Sequence, residues 1–375
     1  MFQKKEVIII GGGLAGLISA LHLSKQGVEV LVIEKNDYPK HKVCGEYISN
    51  EVLPYLKYLG INPLDSGAKK ITNFAISTIK SKLLETKLPL GGFGISRYTL
   101  DHLLAKKAVE NGARVIHDVV VDVLFQHDEF TVFTKNEKKF SSKMVIGAYG
   151  KRSNIDVQLN RKFIKNESPY LAVKTHVTGN FPEDLVALHN FKGGYCGVSK
   201  VENGSINLCY ITNYKAFKKY NNIDDFQQNV LYKNTYLKDI FENSKAVFEK
   251  PLTIGQVSFS SKKPIENHML MCGDTAGMIH PLCGNGMSMA IHSAKIASEL
   301  ILDFFDNNIS RIQMEKKYEK QWNNEFKSRL KAGHIIARLF NINSISELML
   351  FGLQRFPGML PKIIKKTHGK PLTAS

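Results

Sequence analysis

The chain has 375 residues, of which 43% are hydrophobic and 23% are charged, a composition that excludes an intrinsically disordered chain. No apolar run approaches the ~20 residues that cross a bilayer, so we expect no membrane-spanning helix. Lysine and arginine outnumber aspartate and glutamate by 51 to 34, which gives a net charge of +17. Such a charge attracts anionic partners, but we expect most of these cations to be solvated at the surface. The five cysteines form no C-x-x-C pair, which favours a reducing, cytoplasmic location.

The first predicted elements form a βαβ unit. Residues 7–10 are a β-branched run that predicts a buried parallel strand, residues 14–25 predict a helix, and residues 28–33 predict a second strand. Between the first strand and the helix lies a G-x-G-x-x-G motif. Strand, glycines, helix and strand therefore follow one another in the order of a dinucleotide-binding unit.

Each glycine of this motif has a mechanical role. Gly11 permits the tight turn from strand to helix, Gly13 lets a diphosphate approach the backbone, and Gly16 lets the helix pack closely on the strand. The free N–H groups at the start of the helix face the phosphate. Glu34, at the end of the second strand, can accept hydrogen bonds from both hydroxyls of an adenosine ribose. This unit alone leaves FAD and NAD as alternatives.

The middle of the chain predicts a second, mostly antiparallel sheet. Its predicted hairpin comprises residues 69–78 and 82–96, and its further strand-rich runs comprise residues 170–179, 185–212 and 246–261, with turns at Gly193-Gly194 and Asn203-Gly204. We expect this sheet to cover the cofactor and to hold the substrate.

A late segment distinguishes flavin from nicotinamide. Residues 269–272 predict a strand that runs into Gly273-Asp274, a Pro-Leu-Cys-Gly-Asn-Gly loop and a long helix rich in small residues. Asp274 can accept hydrogen bonds from ribityl hydroxyls, and the helix start offers N–H groups to the negative edge of a reduced flavin ring. Gly284 and Gly286 let the backbone approach a flat ring.

With this segment the sequence resembles the FAD-dependent monooxygenase and geranylgeranyl reductase superfamily, the flavoproteins similar to p-hydroxybenzoate hydroxylase. Residues 97–104 match its R-x-x-L-D-x-x-L helix, and the resemblance implies that Arg97 reaches the flavin phosphate or ring. Residues 39–45 resemble its P-x-x-K-x-C-G segment beside the flavin. Residues 147–153 resemble its G-A-D-G-x-x-S motif, with Tyr149 in place of the aspartate that is associated with pyridine-nucleotide handling.

The resemblance implies FAD as the cofactor and NAD(P)H as a transient reductant, with no metal. The expected cofactor-binding residues are Gly11, Gly13, Leu14, Ala15, Gly16, Glu34, Lys35, Cys44, Gly45, Arg97, Gly150, Asp274, Pro281, Gly284, Asn285, Gly286 and Met287. His280, Cys44 and Tyr195 are the candidate catalytic residues. Cys44 and Cys283 are expected beside one ring, either as a redox-sensitive pair or, as we favour, as two independent buried thiols.

We therefore expect an α/β protein whose Rossmann-like FAD-binding domain has a parallel sheet and is interrupted by a mostly antiparallel substrate domain. The FAD domain comprises residues 1–68, 94–160 and 262–310, and the substrate domain comprises residues 69–93 and 161–261. Residues 311–375 form a basic helical segment, interrupted by Pro357 and Pro361. It is either a cap on the catalytic domains, which we favour, an interfacial helix on an anionic membrane, or a lid that meets an acidic carrier protein. Nucleic acid is disfavoured as a partner because no reading module is present.

Three functions fit this pattern. The leading expectation is an NAD(P)H-using monooxygenase that acts through a flavin C4a-hydroperoxide on an aromatic, polyketide-like or lipid substrate. A geranylgeranyl-reductase-like ene-reductase is the alternative, and a non-catalytic flavoprotein electron carrier is a third. Tyr195 matches the Tyr-x-Trp-x-Phe-Pro signature of the reductases, but Gly197 and Ser199 replace its large aromatic residues. Halogenation is disfavoured because the halogenases have a Trp-x-Trp signature and the single tryptophan here, Trp322, lies in the helical tail.

Overall fold

The computed structural model describes residues 3–166, 168–340, 347, 351–356 and 358–373. Its strands are β1 (Gln3–Ile10), β2 (Val30–Glu34), β3 (Tyr47–Ser49), β4 (Lys69–Ser77), β5 (Leu83–Gly94), β6 (Arg114–His117), β7 (Val120–Gln126), β8 (Glu129–Thr134), β9 (Lys139–Gly147), β10 (Tyr170–Thr178), β11 (Leu185–Phe191), β12 (Gly194–Lys200), β13 (Ile206–Asn213), β14 (Lys245–Ala246), β15 (Leu252–Val257), β16 (Ile265–Glu266) and β17 (Met269–Met271).

Its helices are α1 (Leu14–Lys25), α2 (Leu53–Tyr58), α3 (Arg97–Glu110), α4 (Asn154–Gln158), α5 (Tyr214–Phe217), α6 (Ile223–Asn229), α7 (Thr235–Glu242), α8 (Gly286–Phe305), α9 (Arg311–Phe340) and α10 (Met359–Thr367). Residues 351–355 are also helical. Within the described residues, no helix is both long enough and apolar enough to cross a membrane.

The first sheet has the parallel core that the sequence predicts. Its order is β16-β17-β9-β1-β2-β6, and β1, β2, β6, β9 and β17 run parallel to one another. β7 and β8 add an antiparallel hairpin on β9. All five residues of β2 are buried, as expected for a strand that is covered on both faces. Helices α1, α3 and α8 pack together and share one hydrophobic core with these strands.

The second sheet is antiparallel apart from the β4–β11 pair, in the order β14-β10-β13-β12-β11-β4-β5-β3, with β15 also paired to β10. The predicted hairpin of β4 with β5 and the Asn203-Gly204 turn between β12 and β13 are both present. β3 differs from the prediction, which assigned its residues to the first domain. It pairs with β5 instead, because the absence of a side chain at Gly92 leaves room for Tyr47 and Ile48.

The C-terminal helices lie against both sheets. α9 packs against α8, and α10 packs against α9 and β5. Leu360 is buried, whereas Lys362, Lys365 and Lys366 are exposed. α10 thus has the geometry of a cap. Residues 341–346, 348–350 and Pro357 of the predicted helical segment lie outside the described residues.

Candidate functional site

The turn from β1 into α1 has the geometry that a diphosphate site needs. Gly11 has a φ of +100°, and a Cβ atom there would lie 2.5 Å from the carbonyl oxygen of Ala148. Gly13 precedes the helix, and the nearest atom to a Cβ there is Nη2 of Arg97 at 3.8 Å. Open space therefore separates the N-terminus of α1 from the Arg97 guanidinium, and this arrangement suits an anionic ligand.

A cavity of about 580 Å³ extends from this turn to the second sheet, a volume within the range of small-molecule sites. The predicted cofactor residues that line it are Gly11, Gly13, Leu14, Ala15, Glu34, Lys35, Cys44, Gly45, Arg97, Gly150, Asp274, Pro281, Gly284, Gly286 and Met287. Segments far apart in the sequence therefore meet at one cavity.

Two of the predicted cofactor residues do not line this cavity. Gly16 lies beneath it, where its missing Cβ lets α1 pack on β1. Asn285 is fully buried, and its Nδ2 donates a hydrogen bond to Oε1 of Glu51 at 3.0 Å. This hydrogen bond ties the amide nitrogen of Asn285 to the turn that precedes α2.

Glu34 is held rigidly at the end of β2. Its Oε2 accepts a hydrogen bond from the backbone N–H of Gly12 at 2.6 Å, and its Oε1 accepts from the backbone and side chain of Asn36 at 3.0 and 2.7 Å. The carboxylate is therefore fixed at the edge of the cavity, as an adenosine ribose requires.

Arg97 is aimed at the cavity by a buried carboxylate. Its Nε and Nη2 donate to the two oxygens of Asp101 at 2.7 and 2.8 Å, and Lys42 donates to the same carboxylate at 2.7 Å. Burial opposes the charge of Asp101, but Arg97 and Lys42 outweigh it and lower the pKa of Asp101. The cluster therefore keeps a cation beside Gly13.

Asp274 presents its carboxylate to the cavity without a hydrogen bond to any described residue. Burial raises its pKa, against the charges of Lys262, Arg97 and Lys151. Nζ of Lys262 donates to the carbonyl oxygens of Lys151 and Asp274 at 2.7 and 2.6 Å, and burial lowers its pKa to about 8. A buried carboxylate that lacks a donor fits a ligand that brings hydroxyl groups.

The residues present therefore fit FAD. The α1 turn and Arg97 would hold its diphosphate, Glu34 its adenosine ribose and Asp274 its ribityl chain. A Cβ on Gly45 would meet nothing within 4 Å, so the loop is open to a flat ring. When bound, FAD would supply hydride transfer, and the chain would position it.

The other half of the cavity is mostly apolar. It is lined from the second sheet by Tyr47, Phe74, Ile76, Leu88, Ala172, Val186, Leu188, Tyr195, Gly197, Val198, Cys209, Tyr210, Ile211, Ile254 and Val257, and from the C-terminal segment by Ile336, Leu360, Ile363, Ile364, Thr367 and His368. Burial raises the pKa of the Tyr195 hydroxyl well above its usual value, so the phenol stays protonated. This half of the site suits an apolar ligand.

Two of the three candidate catalytic residues, Cys44 and Tyr195, line the cavity, but His280 does not. Its ring lies 4.6 Å from that of Phe259, its Nδ1 accepts a hydrogen bond from the backbone of Leu282 at 3.4 Å, and burial lowers its pKa to about 4. His280 is therefore a neutral residue that caps the turn at Pro281.

The thiols near the cavity are separate. Sγ of Cys44 lies 3.5 Å from Sδ of Met287, and Cys283 also lines the cavity. Every cysteine is a free thiol, so the structure contains no disulfide between Cys44 and Cys283. Burial raises the pKa of both thiols, to about 12 for Cys283, which makes them unreactive at neutral pH.

Sequence reasoning missed a buried charged cluster of Glu46, Lys174 and His176. Glu46 lines the cavity directly after Gly45, and Lys174 is 0% exposed. The signal was a lysine in the middle of an apolar strand, where a buried cation requires a partner.

Tyr149 has a local explanation. Its hydroxyl donates to Oδ1 of Asp156 at 3.3 Å, and the same Asp156 oxygen accepts from Nη1 of Arg161 at 2.8 Å. Asp156 and Arg161 are both buried. A shorter side chain at position 149 would not reach Asp156, so a tyrosine suits this site.

A family model described as an FAD binding domain matches residues 4–303. The chain is 26% identical over 392 residues to conditioned medium factor receptor 1 of Dictyostelium discoideum, which covers 95% of this chain and 72% of that protein. It is also 26% identical over 334 residues to the digeranylgeranylglycerophospholipid reductase of Methanosarcina acetivorans, which covers 84% of this chain and 80% of that one.

A solved flavin-dependent brominase superposes with a TM-score of 0.79 at 18% identity, and the match covers 97% of this chain and 94% of that one. At this identity the likeness shows the fold alone, and it neither supports nor excludes halogenation. The fold and the family model agree on the cofactor. The protein belongs to the FAD binding domain family, and it is an FAD-dependent oxidoreductase of the monooxygenase and geranylgeranyl reductase superfamily.

Proposed function

We propose that this flavoprotein reduces a carbon–carbon double bond in an apolar, isoprenoid-like substrate. The observation that carries the proposal is the apolar half of the cavity, where the second sheet and α10 present aliphatic and aromatic side chains. Burial of apolar surface is the main source of affinity that such a wall can offer, about 25 cal/mol per Å². The name of the reductase from Methanosarcina acetivorans supports the same substrate class.

The chain's own residues have three tasks in this reaction. The α1 turn and Arg97 bind the anionic part of the cofactor, and Gly45 and Gly284 leave room for its ring. Residues such as Leu188 pack against the apolar part of the substrate. When bound and reduced, FAD would supply the hydride for the double bond, a proton from solvent would complete the reduction, and the electrons would come from a donor for which we propose NAD(P)H.

The C-terminal helix supports a lipid-like substrate. α10 places Ile363 and Ile364 at the cavity while its lysines Lys362, Lys365 and Lys366 are exposed. A long apolar chain would pass beneath this helix. Four side chains with hydroxyl groups line that half, Tyr47, Tyr195, Tyr210 and Thr367, but aliphatic side chains outnumber them, which favours an apolar substrate over a polar aromatic one.

Hydroxylation of an apolar substrate is the second candidate. It is favoured by Gly197, which lines the cavity at a position where the reductase signature has a large aromatic residue. A Cβ on Gly197 would be in ordinary contact with Leu188 at 3.7 Å, so the glycine leaves empty a volume that a larger side chain would fill. A wider pocket suits a bulkier substrate than a linear isoprenoid.

Anaerobic turnover separates the two reactions. The protein is reduced with dithionite without oxygen and given geranylgeraniol or a geranylgeranyl phospholipid, and the products are analysed by mass spectrometry. Gain of two hydrogens per double bond without oxygen supports the reductase. Products that form only in air and carry an added oxygen atom contradict it and support the monooxygenase. Bleaching rates with NADH and NADPH identify the donor.

The apolar wall is tested separately with Gly197→Phe, which fills the substrate half. We expect turnover to fall by at least about tenfold, since the ring occupies substrate volume, while FAD affinity stays unchanged. Ser199→Ala is the control, because Ser199 lies on the same strand, is buried and does not line the cavity. Unchanged turnover in Gly197→Phe would contradict the placement of the substrate.

A further inference from the structure

All four residues of the loop 42–45 line the cofactor cavity, and Glu46 follows them. Glu46 has a φ of +54°, a left-handed conformation that is unfavourable for a residue with a side chain. It is also 0% exposed. A buried carboxylate in an unfavourable backbone conformation persists only when its surroundings hold it.

Three residues from two elements, β10 and α3, bind the carboxylate of Glu46. Its Oε1 accepts hydrogen bonds from Nζ of Lys174 and, at 2.8 Å, from the backbone N–H of Arg97. Its Oε2 is 2.7 Å from Nε2 of His176. Burial alone would raise its pKa, but the hydrogen bond from His176 and the charge of Lys174 outweigh burial and lower it. Glu46 therefore stays a carboxylate.

The second sheet supplies the side chains that donate hydrogen bonds to the backbone carbonyl groups of this loop. Lys174 and His176 lie two residues apart on β10, so they point to the same face. Asn207 pairs with His176 on the neighbouring strand, and its Nδ2 donates to the carbonyl oxygens of Cys44 and Gly45 at 3.3 and 2.9 Å. Lys174 also donates to the carbonyl oxygen of Lys42 at 3.2 Å.

On its other side, Glu46 contacts the cofactor half. The N–H that it accepts belongs to Arg97, whose guanidinium lines the cavity near Gly13. Cys44 contacts Met287 in the first turn of α8. A displacement of Glu46 would therefore move both the loop and the start of α3.

The surrounding charges are compatible with this role. The ring of His41 meets that of His176 edge-on at 5.2 Å, and burial and Lys174 lower the pKa of His41. Nitrogen and oxygen atoms of His41, Glu46 and His176 lie within 4.8 Å of one another, a spacing that also suits a metal ion. The ammonium of Lys174 already neutralises the carboxylate. Glu202 caps α3 through Ser96 and does not line the cavity.

We propose that Glu46 is a positioning residue, which Lys174 and His176 hold in place so that the backbone of Cys44 and Gly45 keeps its position against the cofactor. The second sheet thereby sets the geometry of the FAD site. This inference rests on the FAD-binding family and not on the reaction proposed above.

The test compares His176→Gln, which keeps an N–H donor for Glu46, with His176→Leu, which does not. The affinity for FAD is measured by titration, the reduction potential of bound FAD by spectroelectrochemistry, and the stability of the apoprotein by thermal unfolding. We expect His176→Leu to bind FAD about tenfold more weakly, equivalent to the loss of one charge-assisted hydrogen bond, and to shift the potential. His176→Gln should stay within about twofold of the parent affinity.

Glu202→Gln is the matched control, since it alters a buried carboxylate at the same helix start without touching the loop. It should leave FAD affinity and potential unchanged even where it lowers the melting temperature. The proposal would be overturned if His176→Gln and His176→Leu bound FAD equally well, or if His176→Leu kept the FAD affinity and reduction potential of the parent. It would also be overturned if treatment with a chelator changed the FAD affinity or reduction potential of the parent protein. Failure of the parent protein to bind FAD would overturn the family cofactor as well.

Discussion

Gly16 lies directly against Gly11, because a Cβ atom on Gly16 would be 2.0 Å from the carbonyl oxygen of Gly11. Such a distance leaves no room for any side chain. The helix α1 can therefore begin close to β1, and its N-terminal N–H groups reach the cavity. Two glycines far from the reacting part of any ligand thus set where the diphosphate site lies.

Gly11→Ala should destabilise the protein more than Gly112→Ala does. Both glycines have a φ near +100°, but a Cβ on Gly112 would meet nothing within 4 Å. Gly112→Ala, the control, should therefore lower the free energy of unfolding only by the cost of placing alanine in a left-handed backbone conformation, about 1–2 kcal/mol. Gly11→Ala adds the clash with Ala148 and should also abolish FAD binding. Thermal unfolding and FAD titration check this, and equal losses in the two variants would contradict it.

Tyr149→Asp, which restores the residue typical of the family, should be destabilising. It removes the ring whose hydroxyl contacts Met271 and Asp156, and the loss of this packing should cost about 3 kcal/mol. Tyr149→Phe loses only a 3.3 Å hydrogen bond and should cost about 1 kcal/mol or less. Denaturant unfolding measures both, and a Tyr149→Asp variant as stable as the parent would refute the explanation.

Lys262→Met should change how stability depends on pH. Burial lowers the pKa of Lys262 from 10.5 to about 8, so between these values the unfolded chain binds more protons than the folded one. Stability of the apoprotein should therefore rise with pH across this window, and Lys262 should contribute roughly 3 kcal/mol to that rise. The variant should show a flatter profile in denaturant unfolding, while methionine at the exposed Lys327 should leave the profile unchanged.

Leu360→Ala should loosen the C-terminal cap. Leu360 is 5% exposed and lines the cavity from α10, so truncation should cost about 2–3 kcal/mol. The neighbouring Met359 is 49% exposed, and Met359→Ala should change stability by about 0.5 kcal/mol or less. Hydrogen exchange of the α10 amides reports the effect locally. Unchanged exchange in Leu360→Ala would show that the helix is held by other contacts.

The local parts of the fold were predictable from the sequence. The strand and glycine pattern around Gly11 is confirmed because a tight turn depends on neighbouring residues alone, and the Asn203-Gly204 turn is confirmed for the same reason. The spacing of the apolar runs along the chain predicted one parallel and one antiparallel sheet. The family resemblance predicted FAD as the cofactor.

The remainder depends on contacts between distant residues. Asn285 was expected at the cofactor, but Glu51, more than 200 positions earlier, binds its side chain. The burial of His280 depends on Phe259 and other aromatic rings, and no local sequence pattern predicts these contacts. The partners of Glu46 come from β10, and a single sequence does not show which strand faces which loop.

The pairing of β3 with β5 limits how this protein can be re-engineered. Tyr47–Ser49 follows the cofactor loop without a linker and is already a strand of the other sheet. A chimera that imported a foreign substrate sheet would have to import residues 42–49 with it. Otherwise the junction between the native and the imported sequence would lie inside the flavin pocket. The chimera would then gain a new substrate sheet but lose affinity for the coenzyme.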